Sequence, residues 1–564
     1  MVARGLEAFE PLSKAEAALL AGLDSGHYDR VGAGGLPETG DTELVVRAEL
    51  IRTLLLGGPE VPRLHETGLR LGGACISGRL DLEGCRIGCD IGLVDCRLEF
   101  APVLRSAVID SLILDGSTLP GLAADLIEAR GDIYLRAARV DGVVRLRGAR
   151  LGGELVLDGV EVNEPEGVAL NAERLEARGG LLLRSAVIRG GIHAPNLRLG
   201  GAFNAIGARV ERPGGMALDA TGMRCSGDVS LRRIEVEGEC EFNGARLGAD
   251  MDLREARISA PGQTAAVSFR RAAVDGALLI RDGAKIDGVL NLSGAVIGAL
   301  VDEPDSWPEP GDLLLNECRY DGFLNSPIDA ESRLDWLARQ DPARWDEDFW
   351  PQPYEHLASV LIGTGHADDA RRVLIAKERL QRAAQRSRMR WRVVRWIAAL
   401  RDFVLGVTVG YGRQPFLAFI WLAAFWAVGA VAFELVWYKE AMRPVPAMML
   451  RAPEWVLCGA PVGSELFLPS LGQLRGGLAA AEQSQLACFL SQPEAASYPR
   501  FHAWAFSLDA LIPVFETGQT DFWMPDVRDP IGYAGRALVV AQTIAGWALS
   551  LLAVAGFSGI VKLR

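Results

Sequence analysis

Between residues 73 and 298 aliphatic side chains return at a fixed step of eleven, and no other feature of the chain restricts its fold as much. In 130–162, Val140, Leu151 and Val162 are eleven apart, and Leu135, Leu146 and Leu157 keep the same step. The series recurs at Ile188, Leu199 and Val210, at Leu231, Phe242 and Leu253, and at Val236, Leu247 and Ile258. The unit reads G-x-Φ-x-L-x-x-A-x-Φ-x, with Φ aliphatic and with Gly142 and Gly153 expected at corners. Within it apolar and polar residues alternate, as in Val229-Ser230-Leu231, which is the period of a half-buried strand. One such unit cannot bury its inner face alone, so stacked coils must share a continuous core. Inserts at 167–172, 215–220 and 264–269 place Leu170, Leu218 and Val267 at steps of 48 and 49, a superperiod of two coils. Glycine, at 64 of 564 residues, suits a fold of many tight turns.

A solenoid exposes unpaired strand edges at both ends, and these need covers. In 41–58 the residues Val45, Val46, Ile51, Leu54 and Leu55 form a helical apolar stripe stopped by Gly57 and Gly58. In 353–380 two helices are predicted around 363–365. Tyr354, Leu357, Ala358, Gly365, Ala370 and Val373 stand where a tetratricopeptide-type hairpin has its packing residues. A single copy is expected to cap and couple, not to bind peptides.

The C-terminal part reads differently. Residues 415–433 and 537–561 carry no charge, and each run is long enough to span a bilayer. Trp437 and Tyr438 follow the first run, where an aromatic belt would sit. Net charge is −13, yet 371–413 holds twelve Lys or Arg against Glu378 and Asp402. An acidic body with one basic block excludes a broad phosphate-binding face, so no nucleic-acid partner is expected. Seven basic residues occupy 439–536, and Lys562 and Arg564 follow the second run. The bias predicts a two-pass protein of the cell (inner) membrane with N- and C-termini cytoplasmic and the loop outside. Residues 1–20 lack the basic and apolar regions of a secretory signal, in keeping with a cytoplasmic solenoid. Cys458 and Cys488, the loop's two cysteines, are candidates for a disulfide.

Arg386, Arg388, Arg390, Arg392 and Arg395 interleave with Trp391, Val393, Val394, Trp396 and Ile397. Directly before a spanning helix, that mixture reads as a helix on the inner leaflet in contact with anionic lipids; a coupling helix against the solenoid's acidic flank is the alternative. Between the two runs, 501–526 gives an outer-helix, re-entrant, inner-helix order like that of simple tetrameric channels. A helix at 501–515 would then put Asp509 or Glu516 of several subunits in an acidic, cation-favouring ring. A helix lying on the outer surface is the expected geometry, since irregular backbone at membrane depth must be buried by oligomerisation. TVGYG at 408–412 spells the potassium-channel filter but precedes the first span, so it is expected to be a turn. In the second span Gly546, Gly556 and Gly559 with Ala545, Ser550, Ala553 and Ala555 offer small-residue faces for self-association, with Gln542 and Thr543 bonding across the contact; an incidental lipid-facing pattern is the other reading.

No reactive constellation appears. GAGG at 32–35 lacks the third glycine of a dinucleotide fingerprint, and there is no HExxH, GxxxxGK[ST], GxSxG or CxxCH. Cys85, Cys96 and Cys318 take the small slot held by Ala149 or Ala245, while Cys225 and Cys240 replace inward aliphatics, so all read as core residues. Arg86, Arg97, Arg139, Arg150, Arg209, Arg246 and Arg257 follow the small slot and point outward, as a ladder balanced by acids on adjacent rungs or as a face for an anionic partner. His193 and His356 receive no role.

The order of these pieces, the repeat, YEHLASVLIGTGHADDARRVLIAKERL, DFVLGVTVGYGRQP and AFSLDALIPVFETGQTDFW, resembles a group of bacterial membrane proteins often labelled membrane-associated oxidoreductase. The solenoid is similar in pattern to pentapeptide-repeat and bactofilin-type β-helices. The resemblance implies the solenoid-plus-two-helix layout and carries over no catalytic residue. The expected fold is mainly β: a single-stranded β-helix (solenoid), an α-helical hairpin and a two-helix transmembrane module. Its parts are an N-terminal helical cap at 1–70, the solenoid at 71–325, the hairpin cap at 326–388 and a basic juxtamembrane helix and turn at 389–413. Spans at 414–438 and 537–561 flank the loop at 439–536. The expected function is a non-enzymatic, membrane-anchored, self-associating scaffold or sensor with no cofactor and a protein partner on the solenoid. An oligomeric two-helix ion channel gated by the solenoid is the alternative, and an oxidoreductase the third.

Overall fold

In the computed structural model, residues 6–31, 35–38, 41–58, 61–512 and 514–557 are described. They form two compact units that divide after Lys377.

In the first unit, residues 69–323 wind into a parallel β-solenoid of about 12 turns. One coil carries four short strands, Arg139–Val140, Val144–Arg145, Arg150–Leu151 and Leu155–Val156. An eleven-residue unit is therefore half a coil. Each strand pairs in parallel with the same side of the next coil, as in Glu128↔Arg150, Arg150↔Glu176, Glu176↔Arg198 and Arg198↔Arg224. Coils of 22 and 26 residues alternate along this column, which produces the two-coil superperiod. The four additional residues belong to bulges in the longer strands Glu161–Asn171 and Arg209–Asp219, where register shifts between Asn163 and Val168 and between Glu211 and Met216.

Alternation of side chains puts Leu135, Val140, Leu146, Leu151 and Leu157 inside, each at most 4% exposed, with Ala138 and Ala149 fully buried in the small slots. The corners differ in part from expectation. Gly142 has a positive φ of 151°, but the recurrent left-handed corner is the residue before the small slot, as at Ala137, Gly148, Gly159 and Ser185. Gly153 turns no corner; a Cβ there would lie 2.8 Å from Asp132 Cγ and 3.1 Å from the Gly131 carbonyl carbon, so its role is close approach between coils.

Both ends are capped. Helices α1 (Lys14–Gly22) and α2 (Ala48–Leu56) cover the N-terminal end. Ser13 and Glu16 form a reciprocal cap on α1, and the buried Glu16 carboxylate also receives Arg47 Nη2 at 2.7 Å. At the other end stand α3 (Ala330–Ala338), α4 (Pro351–Gly363) and α5 (Ala367–Ser387). Arg333, fully buried, donates two 2.8 Å hydrogen bonds to Asp302 on the penultimate coil and lies 3.6 Å from the Phe323 ring centre. Tyr320 N donates to His356 Nε2 at 2.9 Å, so this histidine fastens α4 to the last coil. His193 pairs with Asp219 on the next rung at 3.0 Å.

The second unit contains α6 (Arg392–Val409), a single 3-10 turn at Gly410–Gly412 and α7 (Phe416–Tyr438). A loop region follows with α8 (Ala447–Leu450), α9 (Pro453–Leu457) and α10 (Gln485–Leu490), then α11 (Ala503–Leu511), α12 (Gln519–Phe522) and α13 (Pro530–Phe557). α7 and α13 are long and apolar enough to cross a membrane. Strands Met442–Pro444 and Trp523–Pro525 pair antiparallel and close the loop region at its base. Trp455, Phe489 and Trp523 form its core, and a disulfide joins Cys458 to Cys488.

Candidate functional site

The second unit places a short helix between two long ones. α11 does not lie across their ends, the geometry expected from sequence, but runs down beside both. Phe501, just before it, stacks on Trp437, Phe506 meets Phe433 edge-on, and Ser507 Oγ donates to Trp426 O at 2.9 Å. On the other side Thr543 Oγ1 donates to Ala510 O at 3.0 Å. Gln542, 1% exposed, donates from Nε2 to Phe425 O at 2.7 Å and to Ser507 Oγ at 3.2 Å. Trp426 and Gln542 each lie twelve residues from their helix's loop-side end, about 18 Å along it at 1.5 Å per residue. The contact is therefore near mid-length.

Two glycines make that approach possible. A Cβ on Gly546 would fall 2.7 Å from the Leu511 carbonyl carbon and 3.3 Å from its Cα. A Cβ on Gly429 would fall 2.7 Å from Gln542 Cδ. Gly546, Gln542 and Thr543 thus serve packing inside one chain, which corrects their reading as a self-association face. Gly559 lies outside the described residues, as do Val561, Lys562 and Arg564 at the end of the second apolar run and the first three residues of GAGG.

Residues 514–518 come back along α11 without regular structure and lead into α12. Asp509 holds this return: its carboxylate accepts from Thr517 N at 2.7 Å, Thr520 N at 3.0 Å and Thr520 Oγ1 at 2.9 Å. Thr517 Oγ1 donates to Ala505 O, and Tyr498 OH donates to Phe522 O where the return ends. The two candidate pore acids are thus unlike. Asp509 is half-buried and committed to the return segment, whereas Glu516 stands exposed near its tip beside Val514, 89% exposed, and Phe515. Sequence could not separate them, because the threonines that bind Asp509 announce nothing by spacing.

Thr408 and Val409 complete α6, and the remaining residues of TVGYG turn the chain toward α7 with Gly410 at φ 53°. Trp421 Nε1 donates to Val407 O across that turn. Asp402, 3% exposed, draws in Arg382 and Arg386 from the end of α5 and Arg401 beside it. Burial alone would raise the Asp402 pKa, but hydrogen bonds from Arg386, Arg401 and Arg382 outweigh it and hold the carboxyl below its usual range. Arg386 is therefore engaged within the protein and is not displayed with Arg388, Arg390, Arg392 and Arg395, which are exposed together with Trp391 and Trp396.

On the solenoid, burial pushes the thiols of Cys96, Cys240 and Cys318 up to about 12 and Cys225 to about 11, values that leave them protonated and unreactive near neutral pH. Cys85 is half-exposed rather than buried. Three of the outward arginines sit beside acids of adjacent rungs: Arg150 lies 3.5 Å from Glu128, and Arg209 and Arg257 lie 3.6 and 3.8 Å from Glu235, whereas Arg246 has Arg224 and Ala273 on its adjacent rungs. No group of three or more potential metal ligands occurs among the described residues. No protein-family model, curated protein or solved structure matches this chain.

Proposed function

We propose that this chain is a two-pass membrane protein whose α7, α11 and α13 assemble with those of further copies into a cation-conducting pore, with the β-solenoid as its cytoplasmic domain. The observation that carries this reading is the descent of α11 to the middle of α7 and α13, followed by the irregular return at 514–518. Irregular backbone at membrane depth persists only where protein buries it or water lines it. In one chain the tip residues Val514, Phe515 and Glu516 are exposed. Neighbouring copies supply the cover, and the water they enclose solvates Glu516, whose charge favours cations.

Two features support the orientation. Twelve basic residues in 371–413 against seven in the longer 439–536 favour a cytoplasmic start and an external loop. The loop carries the disulfide while seven cysteines before it are free, a division that fits an oxidising exterior and a reducing interior. A second reading, a membrane-anchored scaffold that does not conduct, is favoured by the length of the solenoid and its paired Arg–Glu ladders.

Purified full-length protein in liposomes separates the two. A pore passes monovalent cations, and Glu516→Gln lowers that flux while leaving the particle size in nanodiscs unchanged. A monomeric particle, or no flux from correctly inserted oligomers at any pH or voltage, removes the pore reading and leaves the scaffold.

A further inference from the structure

α6 has two opposite faces. At about 100° per residue, Ala398, Asp402, Leu405 and Val409 fall on one side and are buried or half-buried, while Gly406 and Thr408, also half-buried, stand between that side and the opposite face. Val393, Trp396, Ile397, Leu400, Phe403, Val404 and Val407 fall on the other, within an arc of about 120°. All seven are exposed, from 38% at Val407 to 75% at Trp396. Arg392 and Arg401 stand at the two margins of that arc, and Arg395, also exposed, stands about 60° further round than Arg392, toward the Asp402 side. A continuous apolar arc of this size left in water marks a surface with an occupant.

We infer that the occupant is the headgroup layer of an anionic membrane leaflet, with α6 lying in its plane and Arg390, Arg392 and Arg395 binding lipid phosphate. The inference rests on the membrane reading above but not on conduction. Three observations choose a lipid surface over a protein partner. The face is continuous along the chain with α7, which begins four residues after the Gly410–Gly412 turn. Arginines at the margins of the arc can bury their stems against it and keep their guanidinium groups at phosphate level. Finally, the one acid in α6, Asp402, is turned away and matched by Arg382, Arg386 and Arg401, so no carboxylate opposes the lipid charge. Asp402 also fixes the roll of α6: with its carboxylate held by α5, the apolar arc can face only outward. It is a positioning residue for this surface.

The test uses the full-length protein in liposomes of phosphatidylcholine with and without phosphatidylglycerol. An environment-sensitive fluorophore is placed on Ile397→Cys and, separately, on Val431→Cys in α7, with labelling of the parent protein subtracted. Lipid-like emission and quenching by shallow brominated lipid at 397 support the inference. Aqueous emission at 397 with lipid-like emission at 431 overturns it while leaving the membrane reading in place; aqueous emission at both positions overturns both. The headgroup claim is read by native mass spectrometry of the purified chain. Retained phosphatidylglycerol falls at least tenfold, relative to phosphatidylcholine, in R390Q/R392Q/R395Q, and equal retention by parent and variant overturns the claim.

Discussion

Replacing Gly546 by alanine tests whether α11 is seated where the geometry puts it. In an ordinary helix the change from glycine to alanine adds stability, about 1 kcal/mol. Here the new methyl would meet the Leu511 carbonyl carbon at 2.7 Å and its Cα at 3.3 Å, against a comfortable separation of about 3.5–4.0 Å. The Leu511 carbonyl oxygen is nearer still, so the end of α11 must retreat by more than about 1 Å. It cannot do so freely, because Ala510 O is held by Thr543 Oγ1 and Ser507 is held to Trp426 and Gln542. Overpacking of this kind costs about 1–3 kcal/mol, and each interhelical hydrogen bond lost with it adds about 0.6 kcal/mol. The expected net effect is destabilisation by about 2 kcal/mol, opposite in sign to the propensity effect. Gln542→Leu preserves volume and removes only the bonds to Phe425 O and Ser507 Oγ, so it should cost about 1 kcal/mol. The assay is unfolding of the full chain in mixed micelles, followed by tryptophan fluorescence, with Gly546→Ala, Gln542→Leu and the double variant. A stabilised Gly546→Ala, or a Gln542→Leu more harmful than Gly546→Ala, would refute the seating of α11 between α7 and α13.

Three further outcomes follow from the capped solenoid and the loop. Arg333→Ala leaves the Asp302 carboxylate buried without its partner and should cost about 3–5 kcal/mol in thermal or urea unfolding of the solenoid, while joint replacement by Asp302→Leu and Arg333→Met should recover most of it. Burial holds the His356 pKa below 6.5, so the neutral ring favours the folded state fully above that value, and stability should fall as pH drops through 6.5 toward the depressed folded value. His356→Gln should flatten that slope between pH 7.5 and 5, and an unchanged slope would show that the titration lies elsewhere. Cys458 and Cys488 close a loop of 30 residues, so Cys488→Ser should destabilise the loop region by about 3–4 kcal/mol, and reducing agent should reproduce the loss in the parent but not in the variant.

The two halves of the chain differ in how far sequence reaches. In the solenoid a residue's neighbours are the same positions one coil away, so Val140 meets Val162 by counting two repeats, whereas Leu151 meets Ala177 because a four-residue bulge lengthens that coil. Inward residues, small slots and the two-coil superperiod were therefore readable from spacing. The corners were not fully readable: Ala137 and Ser185 take left-handed backbone that composition assigns to glycine, because coil-to-coil hydrogen bonds such as Ala137 N to Asp158 O fix the turn whatever residue fills it. In the second unit, hydropathy determined which helices are long and apolar enough to span a bilayer. It could not determine where α11 goes, because its seat is made by Gln542 reaching Phe425 across 117 residues and by Gly429 and Gly546 admitting a neighbour at close range. The same holds for Arg386, which composition assigns to the basic block and an ion pair with Asp402 assigns to the fold. Periodicity records which side of its own element a residue occupies; contacts between distant, non-repeating elements leave no period, and only the folded chain reveals them.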